Sequence, residues 1–435
     1  MDNKNYQIKI RIMRLKTLLL LISLILVNTL FVAGQTITID DCQKKAEANY
    51  PAIARYDIIE KTKEFNIANA NKGYLPQVTL SARGTWQSDV TSIDFNMPGL
   101  EIPTIDQDQY RFVVELNQVI WDGGRVSAQK KSMQANAELE RKQLDNEIYT
   151  LRERVNNLYF GILLMKEQLN QLEIREKELQ RNFNNIQVYA QNGLANETDL
   201  NVVRLEQLKT DQQRINLESN LDAYIQMLSV LIGEELNSDL VFAKPNPEST
   251  LILPVINRPE LKMFEAQEHA IESQKSLLNA KIKPTIGAFA QSGYGKPGLN
   301  MFDNEFTPYF LGGVSVSWNF SNLYTLKADR KKIDLQKLAI NSQRDTFLQN
   351  LNIVIPQQQI EIEKFRKIMQ DDDEIIRLQT QIRETAEIKV ENGTMTVSDL
   401  IKEINAEEAV KQAKILHEIQ FLMSVYSLKY TINQN

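Results

Sequence analysis

The chain has 435 residues, with 50 Lys and Arg against 56 Asp and Glu, for a net charge of −6. A net acidic chain is a poor match to phosphates, which demand local positive charge, so no nucleic-acid partner is expected. One cysteine, Cys42, closes no intrachain disulfide, and two distant histidines, His269 and His417, lack metal-ligand spacing, so neither metal nor other cofactor is expected. The length suffices for two or three ordinary domains, and scarce Gly (16) and Pro (12) with 24% charged residues suit long helices.

At the N-terminus, Lys4, Lys9, Arg11, Arg14 and Lys16 precede the apolar run TLLLLISLILVNTLFVAG. Val32 and Gly34 then place small residues before Gln35. Residues 1–34 therefore read as a cleaved signal peptide; the competing reading is a membrane anchor, for which the run is at the short end. Met13 is an alternative start that keeps a complete signal. Gln35 stands where a lipoprotein would carry its cysteine, so acylation is not expected. Cleavage would remove five basic residues and one acidic one, taking the net charge from −6 to about −10. No later apolar run reaches helix-spanning length, so a membrane part would have to be strands in a closed barrel.

Beyond the signal the chain reads as two copies of one pattern. NYPAI (49–53) returns as NRPEL (257–261), and YLPQVTLSA (74–82) as IKPTIGAFA (282–290), with Pro51 to Pro259 and Pro76 to Pro284 both steps of 208. QNGLANETDL (191–200) returns as ENGTMTVSDL (391–400), a step of 200. The first repeat, 35–233, is predicted to run helix 38–72, strands 77–87 and 109–121, very long helix 124–191, helix 196–233. A polar, Pro-containing connector covers 234–256. The second repeat, 257–435, follows the same order: helix 257–281, strands 284–294 and 309–320, long helix 323–391, helix 396–432.

At 117–129, NQVIWDGGRVSAQ, alternation gives way abruptly to a helical pattern. Trp121 is expected at the end of the strand, Asp122 as the helix cap, and Gly123-Gly124 as the bend. The second copy writes this junction SWNFSNLYTLKA, with Ser321-Asn322 in place of the acid and glycines. The first long helix carries a heptad seam through Leu144, Ile148, Leu151, Val155, Leu158, Ile162, Met165, Leu169 and Leu172, resuming at Leu179, Phe183 and Ile186. Its counterpart keeps Leu348, Leu351, Ile355, Ile362, Phe365 and Met369, with Gln358 and Asp372 breaking the seam and Pro356 expected to kink the helix. About 68 helical residues would reach on the order of 100 Å. Asp371-Asp372-Asp373 suggests a solvated face, with an acidic tube lining as the sharper alternative.

The strands at 78–86, 110–117 and 314–320 alternate apolar and polar residues; the one at 284–294 does so less clearly. Such a sheet has one apolar and one polar face. Either it lies on a soluble core or its apolar face meets lipid. Trp86, Trp121 and Trp318 at or near strand ends suit an aromatic girdle, and no other apolar layer offers to cover the sheet. Four strands cannot close alone, so several chains would have to share one barrel.

The motifs TIDDCQKKAEANYPAI, YLPQVTLSA, NQVIWDGGR, NGLANETDLNVVRLEQL, LIGEEL and NGTMTVSDLIKEINAEEA, in this order, resemble the outer membrane efflux proteins, the TolC-like channels of Gram-negative envelopes. The resemblance covers essentially residues 35–435. It implies a mainly α chain with a small membrane β part. A homotrimer would give four strands per chain to a 12-stranded β-barrel in outer-membrane lipid, continued by a long periplasmic α-helical barrel. It also implies a periplasmic adaptor, an inner-membrane transporter as the energy source, and no catalytic residues. The strand-linking segments 87–108 and 295–308 should then face outside; the first holds five acidic residues and no basic one. It is read as a solvated loop or as a weak electrostatic filter.

Two site expectations follow. Asn192-Gly193 and Asn392-Gly393 suit helix ends, and Thr198-Asp199 and Ser398-Asp399 suit the starts of the next helices. The resemblance implies that these turns, with Leu194 and Thr394, form the tip that meets the adaptor. It also implies a constriction with two acids three residues apart after the second tip. Asp399 matches the first, but Lys402 stands where the second belongs, with Glu403 beside it. The expected gate is Asp399 with Lys402 and Glu403 across chains; the alternative is a surface pair on one helix.

An enzyme is disfavoured: GYGKPG (293–298) lacks the Ser or Thr and following helix of a phosphate loop, and no nucleophile–base set appears. A soluble periplasmic coiled-coil adaptor or chaperone would explain the helices but not the paired amphipathic strands. Small toxic compounds, metals and, in type I secretion, proteins all remain open as cargo.

Overall fold

A computed structural model describes residues 36–90, 105–193, 195–246 and 255–434. The expected signal peptide, residues 91–104 of the strand-linking segment, Leu194 and residues 247–254 of the connector lie outside the described residues. In chain order the elements are β1 (Thr36–Ile37), α1 (Ile39–Asn49), α2 (Arg55–Asn71), β2 (Gln77–Trp86), β3 (Asp108–Trp121), α3 (Arg125–Tyr149), α4 (Leu151–Gln191) and α5 (Glu197–Ile232). They continue as β4 (Val241–Phe242), α6 (Pro259–Lys281), β5 (Thr285–Lys296), β6 (Thr307–Ser317), α7 (Asn322–Glu391) and α8 (Val397–Ile432). Within the described residues, one compact unit takes 36–53, 148–257 and 351–434, and a second takes 54–147 and 258–350.

Two predicted elements differ from the observed ones. The helix expected over 38–72 is two, because Tyr50 precedes a proline and is extended (ψ 125°), and Pro51–Ala54 forms a 3-10 turn before α2. The helix expected over 124–191 is also two, α3 and α4, meeting at Thr150, which keeps helical dihedrals (φ −64°, ψ −18°). The helix expected over 323–391 is continuous as α7, with Pro356 inside it. A proline inside a helix removes one ladder donor, and the rest of the ladder can persist.

In the second unit, β2, β3, β5 and β6 form an antiparallel sheet in that spatial order. The register sorts the side chains cleanly. One face carries Val78, Leu116, Ala290 and Gly312 in one row, and Leu80, Val114, Ser292 and Phe310 in the next. The other carries Gln77, Asn117 and Phe289, then Thr79, Glu115 and Gln291. The weak alternation of β5 shows in the sheet: Ser292 lies on the apolar face and Phe289 on the polar one. Both faces are exposed: Leu80 is 76% accessible and Phe310 71%, with Thr79 and Glu115 not buried on the other side. A bulge between Val119 and Trp121 shifts the register where β3 leaves the sheet.

The first unit is a helical core. Ile39, Cys42 and Ala46 of α1 pack with Val155, Tyr159, Phe160 and Ile162 of α4, Leu221, Ile225 and Leu228 of α5, and Ile419 and Leu422 of α8. The Tyr159 hydroxyl reaches the carbonyls of Ile37 (2.9 Å) and Ala243 (2.7 Å), tying it to the parallel β1–β4 pair. Burial raises the Cys42 thiol pKa to about 12, so this thiol is inert. Seam residues Leu144, Ile148, Leu151, Val155, Ile162, Leu172, Leu179 and Ile186 are buried, and Leu158, Met165, Leu169 and Phe183 are partly so. In α7, Leu351, Ile355, Ile362 and Phe365 are buried too.

Gly161 lets α4 and α5 approach: a Cβ built there would meet the Tyr224 ring at 2.5 Å. Gly161→Ala is predicted to force Tyr224 aside and destabilise the unit by about 1–3 kcal/mol. A Tyr224→Ala background should remove most of that penalty in a thermal-melt double-mutant cycle; full additivity would contradict the contact.

Candidate functional site

The helix ends at 191–197 and 391–397 share one core. Leu179 and Ile186 of α4, Val203 of α5, Ala386 of α7, and Val397, Leu400, Ile401 and Ile404 of α8 form it, with Ala195 and Met395 of the two turns packed against it. In the first turn the Asn192 side chain donates to the Val188 carbonyl (2.9 Å), and Gly193 takes φ +74°. In the second, Asn392 donates to Ile388 (2.9 Å) and Gly393 takes φ +67°. Thr394 donates to the Lys389 carbonyl through both its backbone (2.9 Å) and its hydroxyl (3.0 Å).

The caps lie two residues earlier than Thr198 and Ser398. Asn196 accepts from the Asp199 backbone N–H (3.1 Å) while Asp199 accepts from that of Asn196 (2.9 Å), a reciprocal capping box. Thr396 accepts from the Asp399 N–H (3.1 Å) and donates its hydroxyl to the Asp399 carboxylate (2.7 Å). Thr198 and Ser398 point outward as exposed first-turn residues. The acids were legible, but the cap was misplaced because Asn196 and Thr396 offer the same chemistry two positions upstream.

The expected gate residues are bonded within the chain. Lys402 donates to Asp399 at 2.8 Å, and that bond, with the Thr396 hydroxyl, holds the Asp399 carboxyl below its usual range. Glu403 accepts from Gln379 of α7 (2.9 Å). Within one chain, Asp399 and Lys402 therefore form the exposed same-helix pair of the alternative reading.

A buried polar layer between the helices escaped the sequence reading. Arg383 of α7 donates to Glu407 of α8 (2.9 Å) and to Glu387 (2.8 Å), with Glu178 of α4 at 3.5 Å. Burial opposes the Glu407 charge, but hydrogen bonds from Lys411 and Thr380 outweigh it and hold the carboxyl below its usual range. Further along, Asp372 is buried against His417 (3.0 Å), and Asp373 pairs with Lys414 (2.5 Å). The acid run is therefore not a uniformly solvated face. His417 is a paired helix residue, and no group of metal-ligating residues occurs among the described residues.

The strand-to-helix junction is built as its sequence suggests. Asp122, 2% accessible, accepts from the backbone N–H of Gly124 (2.8 Å) and Val126 (2.6 Å) and from the Tyr74 hydroxyl (2.9 Å). Gly123 (φ +72°) lies against Lys283 and the Ala280 carbonyl, where a Cβ would sit at 2.9 and 3.1 Å. In the second copy, Asn319 accepts from Ser321 N–H (3.0 Å), Asn322 donates to the Lys281 carbonyl (2.9 Å), and Trp318 donates to that of Ile282 (3.0 Å). Thus Asn319, not Ser321, is the acceptor there. Trp86, Trp121 and Trp318 are all exposed, the first at the loop end of the sheet and the others at its helix end.

Residues 43–234 match the family model described as outer membrane efflux protein. No curated protein sequence matches the chain. Among solved structures, the fold resembles the outer-membrane channel OprN at TM-score 0.66, with 14% identity over 91% of this chain and 90% of that one. It resembles the Campylobacter jejuni CmeC outer membrane channel at 0.64, with 13% identity over 91% and 85%. It also resembles the open state of the Neisseria gonorrhoeae MtrE channel at 0.64, with 12% identity over 91% and 88%. The chain therefore resembles the outer membrane efflux proteins in sequence over its first half and in fold over nearly its whole length.

Burial tends to raise the Asp122 carboxyl, but the hydrogen bonds from Val126, Tyr74 and Gly124 win and lower it. A lowered folded value means its stabilisation is complete above the ordinary 3.8 and is lost as pH falls through the folded value. Asp122→Asn is predicted to cost about 1–3 kcal/mol at neutral pH in thermal melts. The gap to wild type should close in acid once both states protonate; a gap that persists there would contradict a role for the charge.

Proposed function

We propose that the chain is one third of a passive outer-membrane channel in a tripartite export system. The observation that carries this reading is the four-stranded sheet, apolar on one face, polar on the other and exposed on both. An apolar face of that extent in water is a liability; against lipid it is the outside of a barrel. At about 3.4 Å per residue and a tilt near 40°, the 14-residue β3 would cover roughly 35 Å, enough for an apolar band with a girdle at each end. No described helix is long and apolar enough to cross a membrane. Closure then needs two further copies, giving 12 strands in a homotrimer.

In this reading residues 1–34 direct export and are removed, without lipidation. The helices form the periplasmic tube. The turns at Asn192-Gly193-Leu194 and Asn392-Gly393-Thr394 face a periplasmic adaptor joined to an inner-membrane transporter, which supplies the energy. The exposure of Asn192, Gly193, Asn392, Gly393 and Thr394, and the core that the two turns share, support this placement. The chain itself performs no chemistry. Cargo would be small toxic compounds; a type I secretion channel would share every feature above and differ in its inner-membrane partner. A soluble adaptor or chaperone gives the exposed sheet no role.

Photo-crosslinkers at 194 and 394 are predicted to capture the adaptor in cells; capture only from positions in the strand-linking segments would overturn the assignment of the tip. Asp399 and Lys402 are proposed to line the tube's constriction, their pairing holding α8 close to its turn. The double variant Asp399→Ala, Lys402→Ala should raise single-channel conductance in planar bilayers. An unchanged conductance would leave the pair as a helix-surface contact.

A further inference from the structure

One row on the polar face of the sheet has no role in a simple conduit. Arg83 of β2 stands directly opposite Arg111 of β3. The row continues through Gly295 of β5 to Thr307 of β6. Both arginines are exposed. Among the described residues neither makes an ion pair, whereas nearby Lys296, on the opposite face, is paired with Asp106 at 2.5 Å. Like charges facing each other across two strands repel, so the pair costs stability wherever it lacks a counter-charge.

The surroundings favour an occupant over mere solvation. Gly295 brings no side chain to the row, and a Cβ there would meet the Tyr110 and Pro297 carbonyls at 2.9 and 3.1 Å. Glycine thus lets the backbone pack closely here and adds no side chain between the guanidiniums and Thr307. One row deeper, Val113 is buried and the Tyr309 ring lies across Gly293, where a Cβ would meet it at 2.2 Å. The arginines thus project from a filled shelf. Each guanidinium offers a planar fork of N–H donors that matches phosphate or carboxylate oxygens two at a time.

We propose that Arg83 and Arg111 form an anion site inside the outer mouth, taking small molecules that carry several phosphate or carboxylate groups. This rests on the channel reading above, in which the polar face lines the lumen. Three copies would set six guanidiniums at one level, about three residues inside the loop end of β2. A ring of fixed positive charge favours anions at that level.

The test is planar-bilayer recording of the purified full-length channel, with sodium tripolyphosphate as the probe. Wild type should be blocked by the probe from the barrel side, and a potassium chloride gradient should give a reversal potential that includes an anion contribution. The double variant Arg83→Gln, Arg111→Gln should need about tenfold more probe or greater, as expected for losing charge-assisted hydrogen bonds, and its reversal potential should move toward cations. Arg83→Lys, Arg111→Lys should restore the reversal potential while still weakening the block, because the charge returns without the fork. Block and reversal potential unchanged in a Gln variant that still conducts would overturn the anion site alone. Absence of any pore from wild type would overturn the channel reading, and the site with it.

Discussion

Hydrogen-bonding groups on the outer edges of β2 and β6 set the terms for everything else. The sheet order leaves both strands with one unpartnered side among the described residues. Each edge presents a row of backbone N–H and C=O groups that must find partners, and in lipid water cannot supply them. The same sheet exposes an apolar face that water would not tolerate. In the proposed channel, closure with other copies would answer both demands at once: the edges would pair with each other, and the apolar face would turn outward. On that proposal the chain is unfinished as a monomer.

The remaining features serve that requirement. β2 and β3 differ in length, and β3 ends in a bulge and in a buried aspartate that gathers two backbone donors and a tyrosine hydroxyl. That cap changes the chain from strand to helix within three residues. The second copy does the same with Asn319, Asn322 and Trp318, so the junction needs an acceptor and a polar tether more than it needs glycines. In the helical unit, α4 supplies seam residues to two cores shared with α5 and α8, and both exposed turns close over the smaller one.

Much of this was legible because period and register are local. The seam from Leu144 to Ile186 could be read by stepping along the chain, and it is buried. The alternation of β2, β3 and β6 gave the two faces directly. β5 is obscure because Gly287, Gly293 and Gly295 blur its pattern and Phe289 and Ser292 break it, so only its pairing with β3 and β6 assigns its faces. The split at Pro51 was available in principle, since the residue before proline avoids helix, yet the surrounding helical pattern dominated. In the long helices, the break at Thr150 carries no sequence signal, while the helix containing Pro356 runs unbroken as its pattern suggests. Propensity is a local tendency, and packing along the whole helix decides. The polar layer was out of reach. Arg383 meets Glu407, and Asp372 meets His417, across separate helices, so only their packing reveals them.

The central claim is that this sheet closes with two identical copies. Cysteine pairs placed one on β2 (Gln77–Trp86) and one on β6 (Thr307–Ser317), scanned through all registers, test it directly. The native thiol, Cys42, is buried with its pKa raised to about 12, so background reaction is low. At one register, oxidation in isolated outer membranes should give a ladder of linked chains that stops at three. Links at no register, or a ladder that stops at another number or runs on without limit, would contradict the account.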